Sequence, residues 1–275
     1  MVTVSGRRMA LILLLVVSGF LGGSGAGSAQ ELVFVADPWC PYNCEPESEA
    51  PGIIVEMLEF AFGPHGYQVV YRVVPWARAI EDSRHGVYAG IIGAGHLEAP
   101  DFVFHQIPAF TAIDEFYIRE DSGWVYEGLE SLAEVRLGVI KDYSYGTLFQ
   151  DYIQVHQDDP DRIFMAAGEA PLPRIIRMLA AGRVDVIVED RGVMHEQLSR
   201  MPDMPPLTGA ALVAKEDMFV AFSPADSLSP RYAELFDAGL QAMAESGRLA
   251  ELARKYGLAE EQVGALTSQS SKGSH

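Results

Sequence analysis

The 275-residue chain has two cysteines, Cys40 and Cys44, four positions apart in the stretch DPWCPYNC. Two thiols without a neighbouring histidine argue against a sulfur-ligated zinc site, and their spacing differs from the C-x-x-C of a redox pair. The seven histidines are scattered and none makes an H-x-x-x-H pair. P-loop, dinucleotide and G-x-S-x-G patterns are also lacking, so no cofactor or metal is expected. Basic residues are scarce, 20 against 38 acidic ones. That balance argues against a nucleic-acid or anionic-membrane partner, because phosphate contact calls for basic patches. No apolar run reaches the ~20 residues of a membrane-spanning helix.

The first residues, MVTVSGRRMALILLLVVSGFLGGSGAGSAQ, place Arg7 and Arg8 before an apolar run from Met9 to Leu21 and then small residues to Ala29. This is the pattern of a secretory signal peptide over 1–29, cleaved near Ala29. No cysteine stands there to accept a lipid, so the expected product is a free periplasmic protein and not a lipoprotein. The remainder keeps 18 basic and 38 acidic residues, a formal charge of −20. An oxidising compartment favours a Cys40–Cys44 disulfide, which would stiffen the turn after the first strand and carry Tyr42 into a cleft.

Strand and helix patterns alternate along the chain. ELVFVAD, QVVYRVV and VYAGIIGA read as strands, while PGIIVEMLEFAF and PWARAIEDSR read as helices, the first with Ile54, Met57, Leu58, Ala61 and Phe62 on one face. A second set follows with VRLGVI, a helix from YSYGTLFQDYI, the helix PLPRIIRMLAAG and the strand RVDVIVED. KEDMFVAFSP reads as a strand before two final helices. The order implies an α/β layer architecture with largely parallel pairing, and the echo between SRHGVYAGIIG and AAGRVDVIVED suggests two lobes built alike. The polar tail, 259–275, is expected to be disordered.

The order of DPWCPY, PGIIVEML, PWARAI, DFVFHQIP, LGVIKDYSYG, GRVDVIVED and ELARKYGL resembles the family 3 periplasmic solute-binding proteins, which include the polar amino-acid receptors of ABC importers. The resemblance implies a type II fold. Lobe 1 would comprise 31–113 and 219–258, and lobe 2 would comprise 120–213. Hinge segments would lie at 114–119 and 214–218. It further implies a monomer that holds a small polar or zwitterionic solute between closing lobes, with an ABC permease or a membrane sensor as partner.

Ligands of open α/β sheets sit beyond the carboxyl ends of strands, where Asp37, the turn near His96, the turn at Tyr143, Ser144 and Tyr145, and Asp190 fall. Trp39, Tyr42 and Trp76 are aromatics suited to a pocket wall, although Trp39 also suits ordinary packing. By the resemblance, Asp190 would hold a ligand ammonium, while Glu189 beside it would alternate to the other face. Ser144 would either help bind an anion at a helix start or cap that helix.

Amino-acid receptors usually place an arginine after the third strand. GAGHLEAPDFVF has none and offers His96 near that place. An imidazole does not replace a guanidinium fork, so an ordinary α-amino-acid ligand is in doubt. Arg78 is a substitute cation or an exposed helix residue. An enzyme of the cyclohexadienyl dehydratase type is the alternative function, with Glu189 or Asp190 as general acid. Its dicarboxylate substrate would need cationic clamps that the sequence does not supply.

Overall fold

The structure is a computed structural model that describes residues 1–2, 29–141, 143–168, 170–259 and 262–263. The expected signal peptide therefore lies almost wholly outside the described residues.

Three short, densely apolar segments, β1 (Gln30–Ala36), β2 (Tyr67–Val73) and β3 (Gly90–Ala94), pair in parallel in the order β2-β1-β3. Helix α1 (Ile53–Phe62) buries Ile53, Ile54, Met57, Leu58, Ala61 and Phe62, the face its periodicity predicts. Helix α2 (Trp76–Arg84) follows β2. Two antiparallel partners then leave this sheet. They are β5 (Phe110–Arg119), which comes after the short β4 (Val103–Phe104), and β9 (Leu207–Phe222).

These two strands pair from Phe110↔Met218 to Arg119↔Leu207. The far end of β9 pairs with β3 and β4, while β5 at Asp114–Tyr117 pairs with β8 (Val186–Asp190). Beyond β8 lie β6 (Leu137–Ile140) and β7 (Ile163–Ala166), again parallel. One strand ribbon thus joins two sheets, each with its own helices. Pairing is mixed rather than largely parallel, because the ribbon is antiparallel to both neighbours.

The cores follow the same division. One gathers β1–β3 and α1 with α6 (Ser229–Ser246) and α7 (Arg248–Lys255). The second sheet has apolar clusters on both faces. Phe116 and Ile118 of β5 lie in one cluster, near α3 (Thr147–His156), and Tyr117 lies in the other, with α4 (Pro171–Ala180). This is the two-residue alternation of a strand covered on both sides.

Two boundaries differ from the sequence reading. Strand β9 begins at Leu207 and not near Lys215, because its first half, small-residue-rich and half-exposed without a clean alternation, pairs along β5 and so gains the ladder that its side chains alone do not signal. The tail expected to be free from 259 is docked at Gln262 and Val263, both 3% exposed. Val263 joins the first core, and Gln262 donates from Nε2 to the Tyr42 hydroxyl at 2.7 Å. A single apolar residue beside an amide is too short a pattern to show a docking face.

Candidate ligand-binding cleft

Cys40 and Cys44 are disulfide-bonded. The enclosed turn is tight: Trp39 N donates to Asn43 O, and Tyr42 N donates to Trp39 O. Its carbonyls also complete α1, with Pro41 O accepting from Ile53 N and Tyr42 O from Ile54 N, both at 3.0 Å. Helix starts leave such N–H groups without partners, and here the disulfide loop supplies them. Gly52 sits at φ 120°, and a Cβ there would run into Tyr42 O and Asn43 Cα, so only glycine permits this approach.

The turn divides its side chains between two environments. Trp39 and Asn43 line a cleft between the two sheets, which has about 600 Å³ of empty space counting its open mouth. Tyr42 is fully buried and stacks on Phe110 at 3.7 Å between ring centroids. The expectation that the loop carries Tyr42 into the cleft is replaced by Trp39 and Asn43 in that place, since alternate residues of a tight turn face opposite ways.

Asp37, Trp39, Trp76, Tyr143, Ser144 and Tyr145 are brought together as cleft lining. Tyr42, Arg78, His96 and Asp190 are not among the lining residues. Arg78 is exposed on α2, and exposed His96 packs on Phe104 and Phe219. Asp190 is sealed in the interior. Its Oδ1 accepts from Tyr42 Oη at 2.9 Å and Val193 N at 3.0 Å, and its Oδ2 accepts from Ile113 N at 2.8 Å. It is the N-cap of α5 (Arg191–Ser199), a role that an aspartate before a helix fills readily. Glu189, assigned to the opposite face, is the one that lines the cleft. The two residues do alternate, and it is Glu189 that faces the cleft while Asp190 faces the interior.

Sequence reasoning missed Asn43, Glu98, Asp114 and Glu216. The last two come from the joining strands: Ala112 and Asp114 alternate along β5, Glu216 and Met218 along β9, and all four face the cleft. The i, i+2 pattern of the crossover segments carried that signal. Glu98 stands two residues past His96, and its carboxylate accepts from Gly95 N at 2.9 Å and Trp76 Nε1 at 3.3 Å.

Five carboxylates therefore line one cleft. Burial pushes Asp37 up to about 6, partly offset by the Tyr143 hydroxyl, which donates to its Oδ2 at 2.7 Å. Burial, with the Glu216 charge added, takes Glu98 to about 7. Asp114 rises to about 7 through burial and the nearby Asp190 and Glu216. Glu189 rises to about 8 through burial, against the Trp39 indole N–H that donates to its Oε1 at 3.1 Å. Burial and Asp217 also raise Glu216. Two of these bonds, Trp39 to Glu189 and Tyr143 to Asp37, cross the cleft. Among the described residues no cluster suited to a metal ion is found.

No known protein family matches the chain, and no curated protein does. Solved structures do. A histidine kinase sensor domain with similarity to periplasmic binding proteins superposes with a TM-score of 0.67 at 19% identity, covering 83% of this chain and 96% of that one. A putative L-cystine ABC transporter protein from Listeria monocytogenes gives 0.68 at 14% identity, covering 85% and 99%. An amino-acid ABC transporter substrate-binding protein from Streptococcus pneumoniae, bound to L-arginine, gives 0.64 at 17% identity, covering 86% and 96%. With the strand ribbon joining two sheets and the cleft between them, these likenesses establish that the chain has the two-lobe α/β fold of the type II periplasmic binding proteins.

Proposed function

We propose that the protein is an exported receptor that captures a small polar solute between two lobes, 31–113 with 219–258 and 120–213, and presents it to a membrane partner. The observation that carries this reading is the cleft itself: side chains from both sheets line it, and among the described residues the chain passes between the sheets along strands β5 and β9. Residues 114–119 and 214–218 are the hinge segments of this reading, and they adjoin the stretch, 110–113 with 215–218, where the ribbon is two strands wide and can bend or twist more easily than a wider sheet. The similar structures include importer receptors and a kinase sensor domain, which supports either an ABC permease or a membrane sensor as the partner.

A second reading, an elimination enzyme on the same scaffold, has one favourable observation. Glu189, raised to about 8, has the protonation a general acid needs. Among the described lining residues a dicarboxylate substrate would meet five carboxylic acids and no basic group, so the receptor reading is preferred.

The test is a thermal-shift screen of the protein against polar solutes, followed by small-angle scattering with the solute that stabilises most. At 100 times its dissociation constant a solute adds ~2.7 kcal/mol, which is roughly 5–10 °C in Tm at this size. The radius of gyration should fall at saturation, because closure is how differential contact shifts a two-lobe equilibrium. A bound solute with an unchanged radius would contradict lobe closure, and turnover of a bound carboxylate would favour the enzyme.

A further inference from the structure

We infer that the cleft takes a small aliphatic cation with at least two ammonium groups and no carboxylate, a diamine in the simplest case. This rests on the receptor reading above and names the class of solute. The lining contains Asp37, Glu98, Asp114, Glu189 and Glu216, and no Arg, Lys or His is among the described lining residues. A ligand carboxylate would find no cation to pair with among the described lining residues, whereas a ligand ammonium would pair with these acids as they ionise.

Hydrogen-bond accounting gives a second, independent argument. The indole donors of the cleft are already used, Trp39 Nε1 on Glu189 and Trp76 Nε1 on Glu98. The Tyr143 hydroxyl donates to Asp37. The Tyr145 hydroxyl accepts from Ile140 N and keeps its proton to offer, but two buried oxygens of the lining are left over as acceptors. Glu189 Oε2 is buried without a partner in a residue 3% exposed, and so is Asn43 Oδ1 in a residue 1% exposed. The Asn43 amide nitrogen is committed to Asp37 O and the Tyr71 hydroxyl, which leaves the oxygen without a donor beside Gly93 at the cleft wall. Buried acceptors are costly unless something donates to them, and a primary ammonium brings three N–H donors and a positive charge.

Two ammonium groups follow from how the acids are divided. Asp37 and Glu98 belong to the first sheet's loops, and Glu189 lies one residue before the end of β8 in the second sheet, with Asp114 near it on the joining strand. A cation at each end of a ligand would neutralise one group on each side and so reward closure. The walls between them, Trp39, Trp76 and Met218, suit a methylene chain, and the ring faces favour a passing ammonium.

The experiment is calorimetric titration with 1,4-diaminobutane and 1,5-diaminopentane, beside ornithine, 4-aminobutanoate, 1-aminobutane and Ca²⁺. A diamine should bind at least about tenfold tighter than ornithine, which has the same two ammonium groups and adds a carboxylate. Glu189→Gln should weaken the diamine by about 10- to 100-fold without lowering the Tm of the free protein. Preference for ornithine or 4-aminobutanoate would overturn the assignment while leaving a solute receptor intact. So would Ca²⁺ binding alone, or unchanged diamine affinity in Glu189→Gln. If no solute of any class binds or stabilises, the receptor reading falls as well.

Discussion

Asp190→Ala should lower the stability of the solute-free protein by about 3–5 kcal/mol, a fall of roughly 10 °C or more in Tm at this size. The substitution strands three donors at once: the Ile113 amide, the Val193 amide and the Tyr42 hydroxyl. It also removes the N-cap of α5, worth about 1 kcal/mol alone. Gln262 loses the orientation of its tyrosine partner, so the docking of the segment after α7 weakens too. Glu189→Gln is the matched control. It replaces a buried ionisable carboxyl, one oxygen of which has no partner, and should leave Tm unchanged or raise it. Thermal unfolding followed by circular dichroism compares the two. A loss below about 1 kcal/mol in Asp190→Ala would mean that this network is not what seats α5 on the first lobe.

Raising the pH from 6.5 to 8.5 should destabilise the solute-free protein by about 2–3 kcal/mol, roughly 5–10 °C in Tm. The cleft acids fix the sign. Asp37, Glu98, Asp114 and Glu189 hold protons to about 6, 7, 7 and 8 in the folded chain, whereas the unfolded chain releases them near 4. Between these limits the folded state binds more protons, so stability is greatest at the acid end and is lost as pH rises through the folded values. Glu216 is raised by burial and acts in the same sense. Buried His105 is held low and acts in the opposite sense, but only below about pH 6.5. Asp237 is held low as well, and its effect lies below the ordinary aspartate range. A diamine should flatten the decline, because it binds the ionised acids best and releases protons as it does so. A Tm that is level or rising across this window would contradict the raised cleft acids.

The fold was legible where periodicity is strong. Helix α1 and strands β1, β3 and β8 stand where their apolar patterns put them, because each buries an unbroken apolar face. Strand β7 and the first half of β9 were not seen, since half-exposed strands owe their place to a partner more than to their own side chains. In the cleft the aromatics were legible because a large ring in a loop has few other uses. The carboxylates were not. Glu98 sits in a polar loop, and Asp114 and Glu216 lie on extended strands whose inward face is defined only once the ribbon has formed. Asp190 was misread for a related reason: an aspartate at a strand end is equally the first residue of a helix cap, and three donors within 3.0 Å decided which.

The claim on which the account depends is that solute binds between the two lobes against Trp39 and Trp76. The third tryptophan, Trp124, packs instead on the Phe116 cluster of the second lobe, so Trp124→Phe leaves emission from the two cleft indoles alone. Titrating this variant with the solute that binds most tightly by calorimetry is the most direct measurement. The account predicts a saturable change in emission with the calorimetric dissociation constant. A solute that binds by calorimetry and leaves the Trp124→Phe emission unchanged would contradict it.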